Sequence, residues 1–139
     1  MPATSHLAAE LFWLTASALM TGLLWVPYVL NRMVEHGPWA ALKNPSTETA
    51  PRAEWAKRML AAHANAVENL VVFAPLVLAA VSAGRTSGIT AAAAEVYFFS
   101  RLAHFVVYSA GVPLLRTLAF AAGWAACVVI ALATFGLLG

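Results

Sequence analysis

Leu7–Leu30 reads LAAELFWLTASALMTGLLWVPYVL, and Glu10 is its only charged residue. A membrane span needs roughly 20 predominantly apolar residues, so this stretch predicts a transmembrane helix. The segment before it holds no Lys or Arg, and the apolar run is longer than a signal-peptide core, so a span is expected rather than a cleaved leader. The rest of the chain agrees: 62% of residues are hydrophobic and 10% charged, with a mean hydropathy of +0.78. An ordinary soluble domain carries about 25% charged residues. In water, a chain this short would keep about a third of its surface exposed, and this sequence lacks the polar residues to cover it. Eight Lys and Arg against six Glu give a net charge of +2, which suits an anionic lipid or ligand but also the basic inner loops of any membrane protein. The single cysteine, Cys127, excludes an intramolecular disulfide.

Outward from the first span, Asn31–Glu54 collects Arg32, Glu35, Lys43, Glu48 and Arg52 with Gly37, Pro38, Asn44-Pro45 and Pro51. That mixture predicts an extramembrane loop over 31–54. Further spans are expected at about 55–83, 89–112 and 115–138, with Pro75 kinking the second. The last two connections are short, so the expected fold is all-α: one domain, 1–139, forming an integral membrane up-down four-helix bundle. Arg32, Lys43, Arg52, Lys57, Arg58 and Arg116 fall at one end of that bundle and only Arg85 at the other. The basic end is expected in the cytoplasm, with both termini on the opposite side. Small residues in Ala91–Ala94 and in AFAAGWAA, 119–126, fit close helix packing within or between subunits.

Ionisable residues within spans are costly and need a partner or a purpose. On the second span Glu54, Arg58, Asn65, Glu68 and Asn69 fall within about a third of the helix circumference, with His63 elsewhere. On the third, Tyr97, Arg101, His104 and Tyr108 share a narrower stripe. The antiparallel order puts both stripes at one depth, and Glu68 and Arg101 are the expected ion pair. Such groups can simply satisfy one another and fix register, but Asn65, Glu68, Arg101, His104, Tyr108 and Arg116 exceed what one pair needs. Glu10 and Glu95 read as interfacial or helix-pairing groups. His6, His36, His63 and His104 lack metal-ligand spacing, so no metal is expected. The aromatic residues read as interface anchors and packing.

KRMLAAHANAVENLVVFAP, 57–75, and RLAHFVVYSAGVPLLRTLAF, 101–120, resemble the MAPEG family of membrane-associated proteins in eicosanoid and glutathione metabolism, in a bacterial-type member. The signatures are A-H-x-N-x-x-E and R-x-x-H-x-x-x-Y leading to P-x-x-R, and the similarity runs from Asn44-Pro45 to the end. The resemblance implies a homotrimer in a bacterial inner membrane, with glutathione as co-substrate held between subunits towards the cytoplasm. Asn65 and Glu68 then match positions holding the glutathione peptide, and Arg101, His104 and Tyr108 match positions lining the same site. Arg116 matches the catalytic arginine beside the thiol, and Arg32 corresponds loosely to another tripeptide-binding arginine. The chain departs from the glutathione-using pattern at Ala61 and Ala64, where further arginines stand, and at Phe120, where several enzymes have tyrosine.

The chemistry of the residues is compatible with that ligand. Glutathione has two carboxylates and one amine, so cations such as Arg32, Arg58 and Arg101 and an acid such as Glu68 suit it. A positive charge such as Arg116 favours the thiolate, the reactive form. The expected function is therefore conjugation or reduction of lipophilic electrophiles, of transferase or peroxidase type, using glutathione or a related thiol. The alternative is a non-catalytic interaction or lipid-binding protein of the same fold. A proton-coupled transporter using Glu68 and His104 is a third possibility, without the broken helices that such transporters use. Nucleic acid is not an expected partner.

Overall fold

The computed structural model describes residues 7–138; His6, which the sequence places in a terminal segment, lies outside them. Helix α1 runs Ala9–Leu23 and α2 Val26–His36, the two forming one crossing of the bundle. The break between them has a cause in Pro27, the second residue of α2. Its ring nitrogen cannot donate to the Leu23 carbonyl one turn back, and its ring crowds that carbonyl.

Helix therefore continues where a loop is expected, through Asn31–His36. The charged residues there stay helical because the true breakers start at Gly37, whose φ of 89° suits glycine, and Pro38. The connection that follows is ordered. It contains 3₁₀ turns at Pro38–Leu42 and Thr47–Thr49. Glu35 accepts hydrogen bonds from the backbone N–H groups of Arg52 (2.7 Å) and Ala53 (2.9 Å), and His36 bonds the Ala50 carbonyl at 2.9 Å. One carboxylate thus ties the end of the connection to α2 and sits at the N-terminus of the next helix, where negative charge is favoured.

Helix α3 spans Glu54–Ser82 and continues unbroken through Pro75. Helix α4 spans Gly88–Ala110, starts with a reciprocal Ser87–Thr90 capping box and stops at Gly111 in the left-handed conformation. Helix α5 spans Pro113–Thr134, with proline in its first turn where no N–H is needed. Three of the four crossings are long and apolar enough to span a bilayer by composition: Ala9–His36, Glu54–Ser82 and Pro113–Thr134. The α4 crossing carries Glu95, Arg101 and His104 and lies against α1, α3 and α5.

Contacts between distant residues fix the up-down order. At one end the Thr90 hydroxyl donates to buried Glu10, joining the starts of α1 and α4, and Arg85 lies beside Gly136 after α5. At the other end the Arg58 Nε donates to the Ser109 carbonyl at 2.9 Å, joining the start of α3 to the end of α4. That cation also suits the negative end of the α4 dipole.

The main core lies in the first of these halves. Phe73 stacks on Tyr97 with ring centroids 3.6 Å apart, and Val77, Ala94, Cys127 and Ile130 close around them. Alanines on α3 and α4 let the backbones approach closely enough for these contacts. The outer surface is apolar: Leu19, Val71, Trp124 and many other large side chains are exposed on the single chain. Such a surface needs lipid or another subunit against it, and the protein is an integral membrane protein.

Candidate functional site

The polar residues of α3 and α4 meet in the second half, at the α4–α5 junction. Arg101 is 2% exposed and reaches from α4 across to α5. Its Nη1 donates to Asn65 Oδ1 at 3.3 Å, and its Nη2 donates to the carbonyls of Ala119 (3.3 Å) and Phe120 (3.2 Å). Its Nε is buried without a partner among the described residues. The guanidinium carbon lies 5.2 Å from the Phe120 ring centroid and 5.9 Å from that of Tyr97, so the charge is wedged between aromatic faces.

Gly123 on α5 makes room for this crossing. A Cβ there would stand 2.8 Å from the Arg101 Nε and 2.8 Å from the Ser100 hydroxyl. Gly123 belongs to the small-residue run AFAAGWAA, but its role for Arg101 emerges only once the partner helix is known.

Outside Arg101 lies a recess of about 220 Å³ lined by Asn65, His104, Tyr108, Arg116, Thr117 and Phe120. His104 is buried, its ring edge-on to Tyr108 at 5.5 Å, and its nitrogens have no protein partner among the described residues. Arg116 sits at the mouth, its guanidinium carbon 4.5 Å from the Tyr108 ring centroid. It enters no ion pair among the described residues. Asn65 is oriented by its neighbour, since the Asn69 amide donates to the Asn65 carbonyl at 2.8 Å and to its Oδ1 at 3.3 Å. The recess therefore presents one engaged cation at the back, one unengaged cation at the mouth and a neutral wall between them. Such a site suits an anionic group.

Of the residues singled out in the sequence, Asn65, Arg101, His104, Tyr108 and Arg116 come together here. Arg58 is at the same end of the bundle but is occupied with the Ser109 carbonyl and packs against Gly111. Arg32 lines a separate cavity of about 330 Å³ beneath the connection, with Tyr28, Ser46, Thr49 and Leu60. There it donates to the Lys43 carbonyl at 3.1 Å.

The expected Glu68–Arg101 ion pair is absent. Glu68 is exposed on the outer side of α3, and Arg101 takes neutral acceptors instead. Asn65 occupies the edge of α3 that faces α4, and three residues later the helix has turned about 60° away. Glu54 is likewise outward, paired with Lys57 at 2.6 Å. His63, off the polar stripe of its helix, shares a 2.8 Å hydrogen bond with the Tyr28 hydroxyl, linking α3 to α2.

The recess is smaller than the roughly 300–1,000 Å³ of typical small-molecule pockets.

A family model for the MAPEG family matches residues 10–136. Compared with curated proteins and with solved structures, the chain matches none. The matched stretch runs from the first turn of α1 past the end of α5 and includes every helix that builds the recess, so the chain belongs to the MAPEG family, membrane proteins of the glutathione and eicosanoid metabolism type.

Proposed function

We propose that the protein is a thiol-dependent transferase or peroxidase acting on lipophilic electrophiles, with glutathione or a related thiol as co-substrate in the Arg116 recess. The observation that carries this reading is Arg116 itself: a guanidinium without an ionic partner, held over Tyr108 at the mouth of a polar recess. A cation there stabilises a thiolate against its thiol. The thiolate sulfur then forms a bond to an electrophilic carbon while the leaving group departs with the displaced electron pair. Asn65, His104 and Tyr108 hold the peptide portion of the thiol, and Arg101 supplies positive potential from behind.

The rest of the site comes from a neighbouring copy in a homotrimer. That assembly gives Glu68 an amine to face and brings Arg32 and Arg58 within reach of carboxylates. The recess lies on the cytoplasmic side of a bacterial inner membrane, with both termini opposite, as the basic residues at this end favour. Electrophiles dissolved in lipid enter sideways.

Turnover tests the reading. Protein in detergent should couple glutathione to a chlorinated dinitrobenzene, and Arg116→Ala should lower the rate at least about tenfold, the factor expected when one nearby charge shifts a thiol by about one pH unit. Absence of both turnover and thiol binding in the wild type would remove it. A non-catalytic membrane role is the second reading, favoured by one observation: Phe120 places a ring without a hydroxyl in the recess wall. It predicts thiol binding or assembly without turnover.

A further inference from the structure

The end of the bundle away from the Arg116 recess carries a second polar cavity, of about 210 Å³, between the α3–α4 turn and the end of α5. Arg85, Thr86 and Ser87 line one side, Ala133 and Gly136 the other. Among the described residues, Arg85 is the only Lys or Arg side chain at this end of the bundle. Its guanidinium lies against Gly136, where a Cβ would be 3.6 Å from Nη1, and it enters no ion pair among the described residues.

A separate groove of about 350 Å³ lies between α4 and α5, one turn further along each helix. Ile89, Ala92 and Val96 form its α4 wall, and Ala122, Ala125 and Val129 its α5 wall. The two features lie on one track. Ala122, Ala125, Val129 and Ala133 recur every three or four residues, which places them on a single face of α5, and Gly136 follows just past the end of that helix. Ile89, Ala92 and Val96 do the same on α4. Between Ala122 and Ala133 the track is about 16 Å long at 1.5 Å per residue, with Gly136 and Arg85 beyond its outer end. One leaflet of hydrocarbon is about 15 Å deep, so the track spans a headgroup position and one acyl chain.

The geometry points to a binding site for an anionic phospholipid, its phosphate on Arg85 and one acyl chain in the α4–α5 groove. Charge decides the occupant. Among the described residues, a second copy of the chain would bring an apolar surface to the groove but no side-chain carboxylate to Arg85, because Glu10 is committed to Thr90 and Glu95 lies deeper, about 10 Å along α4 from its start. An anionic lipid supplies both the counter-charge and the apolar chain. The site is independent of the thiol chemistry, and its α4 wall ends at Val96, one turn short of Ser100.

Native mass spectrometry of the protein released from vesicles of equal phosphatidylglycerol and phosphatidylcholine tests the assignment. The wild type should retain phosphatidylglycerol over phosphatidylcholine by about fivefold, the factor one cation near the surface gives. Arg85→Gln should bring the ratio to about one. Ala125→Phe, which fills the groove, should reduce retention of both lipids. Phosphatidylglycerol carrying a photoreactive acyl chain should crosslink to the 89–96 and 122–129 segments. Equal retention by wild type, an unchanged ratio in Arg85→Gln, or crosslinks confined to other helices would each overturn the assignment. Loss of subunit association in Ala125→Phe, with no lipid crosslinked to the wild-type groove, would overturn it in favour of a second copy.

Discussion

A methyl group at Gly123 would stand 2.8 Å from the Nε of Arg101, so the buried guanidinium crosses from α4 to α5 only because α5 has no side chain there. Gly123→Ala should therefore force Arg101 or the helix pair to shift. The expected cost is about 1–3 kcal/mol, as for other overpacked cores, visible as a lower Tm in detergent. An unchanged Tm would mean that Arg101 can leave its acceptors freely.

Arg101 is held by neutral acceptors rather than by a carboxylate. Asn65→Leu removes one acceptor and should destabilise by about 1–3 kcal/mol, the range for a buried group left short of a partner. Arg101→Met removes the charge and its demand for acceptors, so the double variant should be less destabilised than the sum of the singles. Additive effects in a double-mutant cycle would argue that the Asn65–Arg101 hydrogen bond contributes nothing.

At the opposite end, Thr90→Val keeps the shape of the side chain and removes the hydroxyl that donates to Glu10. Glu10 is buried, so unfolding should become easier by about 1–3 kcal/mol. Glu10→Leu added to Thr90→Val should restore part of that loss. Stability identical to wild type in Thr90→Val would show that Glu10 is satisfied elsewhere.

Glu68 is exposed and enters no ion pair among the described residues. Glu68→Gln should leave the unfolding of the isolated subunit within about 0.5 kcal/mol of wild type, while weakening glutathione affinity by about tenfold if it faces the ligand amine across a subunit boundary. Titration calorimetry separates the two effects, and wild-type affinity in the variant would place Glu68 outside the site.

For the proposed chemistry, pH gives a sharper test than rate alone. With Arg116 present the thiolate is favoured, and without it a higher pH is needed to form the same fraction. Activity of Arg116→Ala should thus recover as pH rises, by up to about tenfold per unit while the thiol remains mostly protonated. A pH profile parallel to that of wild type would assign Arg116 a purely structural role.

Much of this arrangement was legible before any coordinates. Apolar runs give away the four crossings because lipid demands them, and the three- and four-residue spacings of Asn65 with Asn69 and of Arg101, His104 and Tyr108 reveal shared faces. What the sequence obscures depends on neighbours. Asn31–His36 looks like loop because its residues are charged, yet charge is compatible with helix and the stop comes at Gly37-Pro38. Pro27 interrupts the first crossing from within a run whose hydropathy is unbroken. Glu68 looks like the partner of Arg101 because opposite charges at one depth invite pairing. The choice was made by helix rotation and by carbonyls of α5, which carry no sequence signal. Arg32 shows the same limit, since only the folded connection reveals the cavity it enters.

Cys127 is enclosed by the aromatic and aliphatic side chains of the main core. A sulfhydryl so placed is shielded from water-soluble maleimides, so the natural chain already serves as a silent background for engineered cysteines. Single cysteines introduced beside Arg85 or Thr117 would then report, by labelling from one side of sealed vesicles, which compartment each end of the bundle addresses.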